Sequence, residues 1–217
     1  MGVSAKGILK DNKEIFLPLG GLLVLVLIII LSTGSGMELF SPLDTLEHKR
    51  FIEAEDVLEE GRDYAAITKT SQGEIEIDLF EDEVPVSVNN FVFLSAQRFY
   101  EKLTFHKVMK DFIIQTGDPL ADSTGDAGYT YTDIITDRRV ESYSVVMANA
   151  GDKTSNGSQI FIVCEGADTS SLQGKYTVIG EVTSGFVVVD AIGEATVDEN
   201  YKPLSDITIQ SIQILED

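Results

Sequence analysis

The sequence has no tryptophan, one cysteine, two histidines and five prolines, and 16 Lys and Arg against 36 Asp and Glu. Each shortage removes a class of protein. A single cysteine, Cys164, excludes an intrachain disulfide, and its place in the apolar run 160–164 reads as a buried thiol. His48 and His106 lie far apart, and neither H-E-x-x-H nor C-x-x-C spacing occurs, so no metal or cofactor is expected. A formal net charge of −20 opposes a nucleic-acid partner, which needs a basic face, and reads as solubility. No nucleophile–base pair points to a hydrolase. No internal repeat or low-complexity tract is present.

The 217 residues suffice for one domain of about 150 residues plus appendages. Residues 15–31 carry no charge and are mostly Leu, Ile and Val. As a helix they span about 26 Å, a little under the hydrocarbon core of a bilayer. This reads as a transmembrane helix. The competing reading is a cleaved signal peptide, with small residues at 32–36 for cleavage, although the run is long for one. Lys6, Lys10 and Lys13 precede the span, which places a tail of residues 1–14 in the cytoplasm and the acidic remainder outside it, as a single-pass protein of the cell membrane. Residues 32–61 form a linker and juxtamembrane stalk. Within it, Ser41 and Pro42 resemble a helix start and Gly61 a stop, predicting a helix over 41–60; an acidic disordered linker is the other reading.

From residue 62 on, strand signals dominate. Strands are predicted over 65–70, 74–80, 143–148, 160–164 and 176–182, and at the C-terminus through Ile207, Ile209, Ile212 and Ile214. In the second, Ile75, Ile77 and Leu79 alternate with Glu74, Glu76 and Asp78, the pattern of a half-buried strand. The alternation of the last strand slips at Ser211, which suggests a β-bulge. Pro85 opens a helix with Val88, Phe91, Val92 and Ser95 at helical spacing, and Ser184 caps a short helix over 185–192. Asp118, Asp122 and Asp126 recur in a turn-rich stretch. Their spacing is not that of an EF-hand, so the stretch is read as a solvated loop.

The most informative stretch is FHKVMKDFIIQTGD, residues 105–118. Two short apolar runs, each bearing one polar group (Lys107 and Gln115), suggest buried strands beside an apolar pocket. A second stretch, MANAG at 147–151 followed by SNGSQIFI at 155–162, has the same character. Together they resemble the cyclophilins, whose signatures run close to F-H-R-x-x-x-x-F-x-x-Q-G-G-D and M-A-N-A-G-x-x-x-N-G-S-Q-F-F. The likeness extends over about residues 64–215.

This resemblance implies a mainly β fold, a closed eight-stranded antiparallel barrel capped by two helices over residues 62–217. It also implies peptidyl-prolyl cis-trans isomerase activity on proline-containing segments of client proteins. Phe112, Ile113, Phe161 and Leu172 match the family's proline pocket. Gln115 and Gln159 match side chains that orient the substrate, and Ala148, Asn149 and Ala150 match the segment gripping its backbone. Tyr176 stands where many relatives carry His, and His106 matches a histidine beside the site. Three departures stand out. The catalytic arginine falls on Lys107, the frequent tryptophan of W-L-D-G-[KR]-[HY] has become Ser171 in SLQGKY, and Ser123 and Thr124 stand where relatives often carry glycine. Lys107 and Gln115 are therefore the expected catalytic pair, with weakened activity. The alternative is a non-catalytic module that binds proline-containing segments.

Overall fold

The period-two patterning and the apolar runs build one antiparallel sheet. The computed structural model describes residues 49–132, 135–149 and 155–217, with side chains described from 157 in the last range. The strands are β1 (Tyr64–Thr70), β2 (Gly73–Leu79), β3 (Lys107–Met109), β4 (Ile113–Thr116), β5 (Ser144–Asn149), β6 (Ser155–Val163), β7 (Val178–Ser184) and β8 (Ile209–Glu216). Helix α1 (Pro85–Ala96) lies between β2 and β3, and α2 (Phe186–Gly193) between β7 and β8. Spatial order is β3-β4-β6-β5-β7-β2-β1-β8.

Along β2 the alternation holds: Ile75, Ile77 and Leu79 are buried and Glu74, Glu76 and Asp78 exposed. The bulge expected near Ser211 is present. Lys69 faces Ser211 and Thr70 faces Ile209, leaving Gln210 as the extra residue.

The expected closed barrel is corrected to a curled, open half-barrel, because no ladder joins β3 to β8 among the described residues. The outer edge of β3 is occupied: the Val108 N–H donates to the Tyr201 carbonyl at 2.8 Å. The seam is spanned one step earlier by loop backbone, with Lys102 N donating to Ile209 O, Ile209 N to Leu103 O and Phe105 N to Ile207 O, at 2.8, 2.8 and 2.9 Å. Satisfying these amides matters because a buried backbone group without a partner is costly.

Helix α1 begins at Pro85, whose missing N–H costs nothing at a first helical position. It packs on β6 and β8, while α2 packs on β2, β3 and β4. Between them lies the main core, with Phe91, Leu94, Tyr100, Phe105, Ile114, Met147, Ile162, Ile179 and Ile192. The N-cap of α2 is Gly185 at φ 86 with no side-chain cap, not Ser184. Only glycine fits there, because a Cβ would lie 2.2 Å from the Glu74 carbonyl oxygen.

The stalk helix is also corrected over the described part, residues 49–60, which contain no helix. These residues form an extended strap along α1. Its backbone is satisfied from outside: the Asn89 carboxamide accepts from Val57 N (2.8 Å) and Leu58 N (3.3 Å) and donates to Glu55 O (2.9 Å). Phe51 packs edge-on against Phe93, centroids 5.1 Å apart, and near Phe99 at 6.4 Å. Ala54, Val57 and Leu58 thus pack against the main core without helical backbone. Among the described residues no helix is long and apolar enough to cross a membrane. The predicted tail, span and linker, residues 1–48, lie outside the described residues.

Candidate active site

The second apolar run of the motif becomes β4, and all four of its residues are buried. Burial on both faces follows from the pairing. One face carries Val108, Ile114, Ile162 and Val145 as cross-strand neighbours and joins the main core. The opposite face carries a row running Lys107, Gln115, Phe161, Val146 and Val178 across β3, β4, β6, β5 and β7. Side chains directly opposed in a ladder share one face, so a cation and an amide stand in line with an aromatic floor. Lys107 and Phe161 are two strand spacings apart, roughly 10 Å, which a lysine side chain can largely span.

Around Phe161 is a second apolar cluster of Ile113, Val140, Val146, Ala148, Phe161, Val163, Leu172 and Val178, rimmed by Met109, Phe112, Tyr176 and others. Phe161 is 3 % exposed and its ring meets Tyr176 edge-on at 5.4 Å. The structure thus brings Phe112, Ile113, Ala148, Phe161, Leu172 and Tyr176 together in one apolar cluster. Phe112 precedes β4 and packs against the same cluster as Ile113. Sequence reasoning missed Val140, Val146 and Gln173. The Gln173 amide donates to Val140 O at 2.7 Å and ties the Leu172 loop to the patch. No local signal marks that contact, since it joins residues 33 apart.

The two glutamines hold each other. Gln115 Nε2 donates to Gln159 Oε1 at 2.8 Å, and Gln159 Nε2 donates to the Gly125 carbonyl at 2.8 Å. Both amides are buried, where satisfied polar groups fix a geometry and unsatisfied ones are costly. Close approach of β4 to β6 requires Gly117, at φ +88, where a Cβ would sit 2.3 Å from Ser158 O. Asn149 Nδ2 donates to Lys175 O at 2.9 Å and so anchors the 171–176 loop. Ala150 lies outside the described residues. Lys107 is half-buried, and its ammonium makes no hydrogen bond or ion pair among the described residues. Ser171 is exposed, so no aromatic wall stands at that position.

Beside Lys107 a groove of about 550 Å³ is lined by His106, Asp122, Asp198, Glu199, Tyr201 and Lys202, among others. Asp118, by contrast, is buried and caps its own loop, accepting from Leu120 N (2.7 Å) and Asp122 N (3.1 Å). Among the described residues no group of acidic, His and Cys side chains could hold a metal ion. Burial pushes the Cys164 thiol up to about 11, so it stays protonated near neutrality.

His106 is buried, and neither ring nitrogen has a hydrogen-bond partner among the described residues. Burial holds its pKa below the ordinary 6.5. Lys107 and Lys202 act in the same direction, and Asp118 and Asp122 oppose them. As pH falls below about 6.5, the unfolded chain takes up a proton that the folded chain resists, so stability is lost from there down to the folded pKa. The melting temperature should fall over that window. His106→Gln should flatten the fall, as followed by circular dichroism across pH.

One sheet face thus carries a cation, an ordered amide pair and an apolar patch. The chain also matches the family model described as cyclophilin type peptidyl-prolyl cis-trans isomerase over residues 64–214. It is 43% identical over 155 residues to a peptidyl-prolyl cis-trans isomerase of Rhizopus delemar, covering 69% of this chain and 24% of that protein. It is 38% identical over 169 residues to peptidyl-prolyl cis-trans isomerase B of Streptomyces anulatus, covering 69% of this chain and 95% of that one. A crystal structure of a Cryptosporidium parvum cyclophilin type peptidyl-prolyl cis-trans isomerase superposes with a TM-score of 0.67 at 30% identity, covering 71% of this chain and 99% of that one. The same protein in the presence of the dipeptide Ala-Pro gives 0.66, with 70% of this chain covered. The chain belongs to the cyclophilin-type peptidyl-prolyl cis-trans isomerases.

Proposed function

We propose that this protein isomerises X–Pro peptide bonds in proteins outside the cytoplasm, assisting their folding, with turnover limited by Lys107. The observation that carries the reading is the single sheet face on which Lys107, Gln115 and the Phe161 patch stand in line. Rotation about a peptide bond faces a barrier of about 18–20 kcal/mol, and no covalent bond need break. The proline ring packs against Phe112, Ile113, Phe161 and Leu172, and the 148–150 segment holds the flanking backbone. The Lys107 ammonium then offers a donor to the proline nitrogen, which becomes a better acceptor once twisting removes amide resonance. That interaction is stronger in the transition state than in the ground state, as catalysis requires. The Ala-Pro dipeptide used with the Cryptosporidium relative supports this substrate class.

The test is turnover of a cis-proline peptide by the full chain. Wild type should measurably shorten an uncatalysed process of tens to hundreds of seconds. Peptide binding without any acceleration would favour the second reading, a non-catalytic binding module, which Lys107 in the arginine position keeps alive.

Location is proposed from residues 15–31 and the lysines before them: a single-pass anchor with residues 1–14 in the cytoplasm and the domain outside the cell membrane. Protease added to intact cells or spheroplasts should digest or release the domain and spare the N-terminal tail. A protected domain reverses the orientation. A mature chain starting near residues 34–37 makes the run a signal peptide.

A further inference from the structure

Residues 49–63 precede the family match, which begins at 64, yet they reach the active site through one loop. The Phe51 N–H donates to the Ala127 carbonyl at 2.7 Å, and the Phe51 ring is seated against Phe93 and Phe99. Gly128, at φ +105, lets the loop approach this closely, since a Cβ there would lie 2.4 Å from Phe51 O and 3.0 Å from Phe51 N. Arg50 adds an ion pair to Asp126 at 3.6 Å. Ala127, the residue held by Phe51, is fully buried and lies two positions from Gly125. The Gly125 carbonyl accepts from Gln159, and Gln159 accepts from Gln115. Gln115 is the ladder partner of Lys107. The Asp118 carboxylate ties residues 120–123 and lies against Gly125, and the strap adds a restraint on the far side, at residues 126–128. Tyr129, whose hydroxyl donates to Asn90, is a second restraint there.

We infer that the strap is a positioning element of the active site. Phe51 fixes Ala127 and Gly128, and through the Gly125 carbonyl this sets the orientation of the Gln159–Gln115 pair beside Lys107. Phe51 is thus a positioning residue and touches no substrate. The inference rests on the isomerase reading for its kinetic consequence, and on the hydrogen bonds alone for its structural one.

The test uses the full chain, with Phe51→Ala, peptide turnover, and NMR of the Gln115 and Gln159 side-chain amides. A misplacement of 1 Å in a catalytic constellation can cost on the order of 10²-fold. Loosening one of several restraints should cost less, roughly fivefold in kcat. KM should stay within about twofold, because the apolar patch does not contact the strap, and the Gln159 amide signals should move. Phe51→Leu, which keeps an apolar anchor in the Phe93–Phe99 pocket, should restore most of the turnover. Unchanged kcat, or amide signals that stay in place, overturns the inference. So does a parallel worsening of kcat and KM that Phe51→Leu does not rescue, since that describes general destabilisation. If Phe51→Ala does not fold, Asn89→Ala releases the 55–58 part of the strap and is judged by the same readouts. A wild type without turnover would fail the isomerase reading, and the amide signals alone would then decide the strap inference.

Discussion

Lys107→Arg is expected to raise the turnover constant by roughly 10–100-fold while leaving peptide affinity nearly unchanged. Arginine presents a planar fork of donors that one neighbour can brace while another N–H points at the proline nitrogen. Lysine offers one compact, strongly hydrated charge on a flexible stem. In this structure the contrast is sharpened by two features. The Gln115 amide nitrogen is committed to Gln159, and the Lys107 ammonium has no partner among the described residues that would hold it in place. Losing a preorganised donor outright costs roughly 3–4 kcal/mol, or 10²–10³ in rate. A positive donor that remains but is less preorganised should cost less, hence the smaller factor. Lys107→Ala should remove most of the residual turnover. The ground state should hardly notice either change, because the Phe161 patch and the 148–150 segment remain. A wild type as fast as Lys107→Ala would remove this residue from the mechanism. No catalysis in wild type, with none restored by Lys107→Arg, would leave the binding-module reading.

Phe161→Ala is expected to weaken binding of a proline-containing peptide by roughly 10–150-fold, the equivalent of about 1.5–3 kcal/mol of lost aromatic contact. The side chain stands at the centre of the second apolar cluster, directly opposite Gln115 on one side and Val146 on the other. Its burial means the same change also costs stability, on the order of 3–5 kcal/mol for a phenylalanine cut to alanine in a packed site. Binding is therefore measured on protein shown to be folded. Phe161→Leu, which keeps more of the volume, should fall between wild type and alanine in both affinity and melting temperature. Folded Phe161→Ala with undiminished affinity would mean that the proline ring sits elsewhere.

The ladder explains why these two positions are expected to act so differently. Both lie on one row of one face, so on the proposed reading both face the same bound segment. Phe161 is fixed by neighbours on every side, whereas Lys107 is at the edge strand, with β4 on one flank and the 198–202 turn on the other. Burial falls along the row, from Phe161 at 3 % exposed through Gln115 at 9 % to the half-buried Lys107. On the proposed mechanism, the Lys107 ammonium is placed by the backbone pairing of β3, and the side chain at this edge is expected to set the rate.

Much of the domain was legible in the sequence. Period-two alternation identified β2 with its wet and dry faces, and the slip at Ser211 marked the bulge of β8. Pro85 marked the start of α1, and the two motifs carry Lys107, Gln115 and Phe161, which the ladder sets in one row. These features are local: they depend on the period of a strand, the fixed φ of proline or a contiguous string of side chains. Three matters were decided only by tertiary structure. The sheet stayed open because the Tyr201 carbonyl takes the edge of β3. Residues 49–60 became an extended strap because Asn89, some 30 positions away, supplies the hydrogen bonds that a helix would have made for itself. The glutamines turned toward each other because Gly125 and β6 met at Gln159. In each case a backbone or amide group was satisfied by a partner distant in sequence. A helical stripe or a strand period fixes which residues are buried. Only the assembled chain fixes which polar group will answer each N–H and carbonyl.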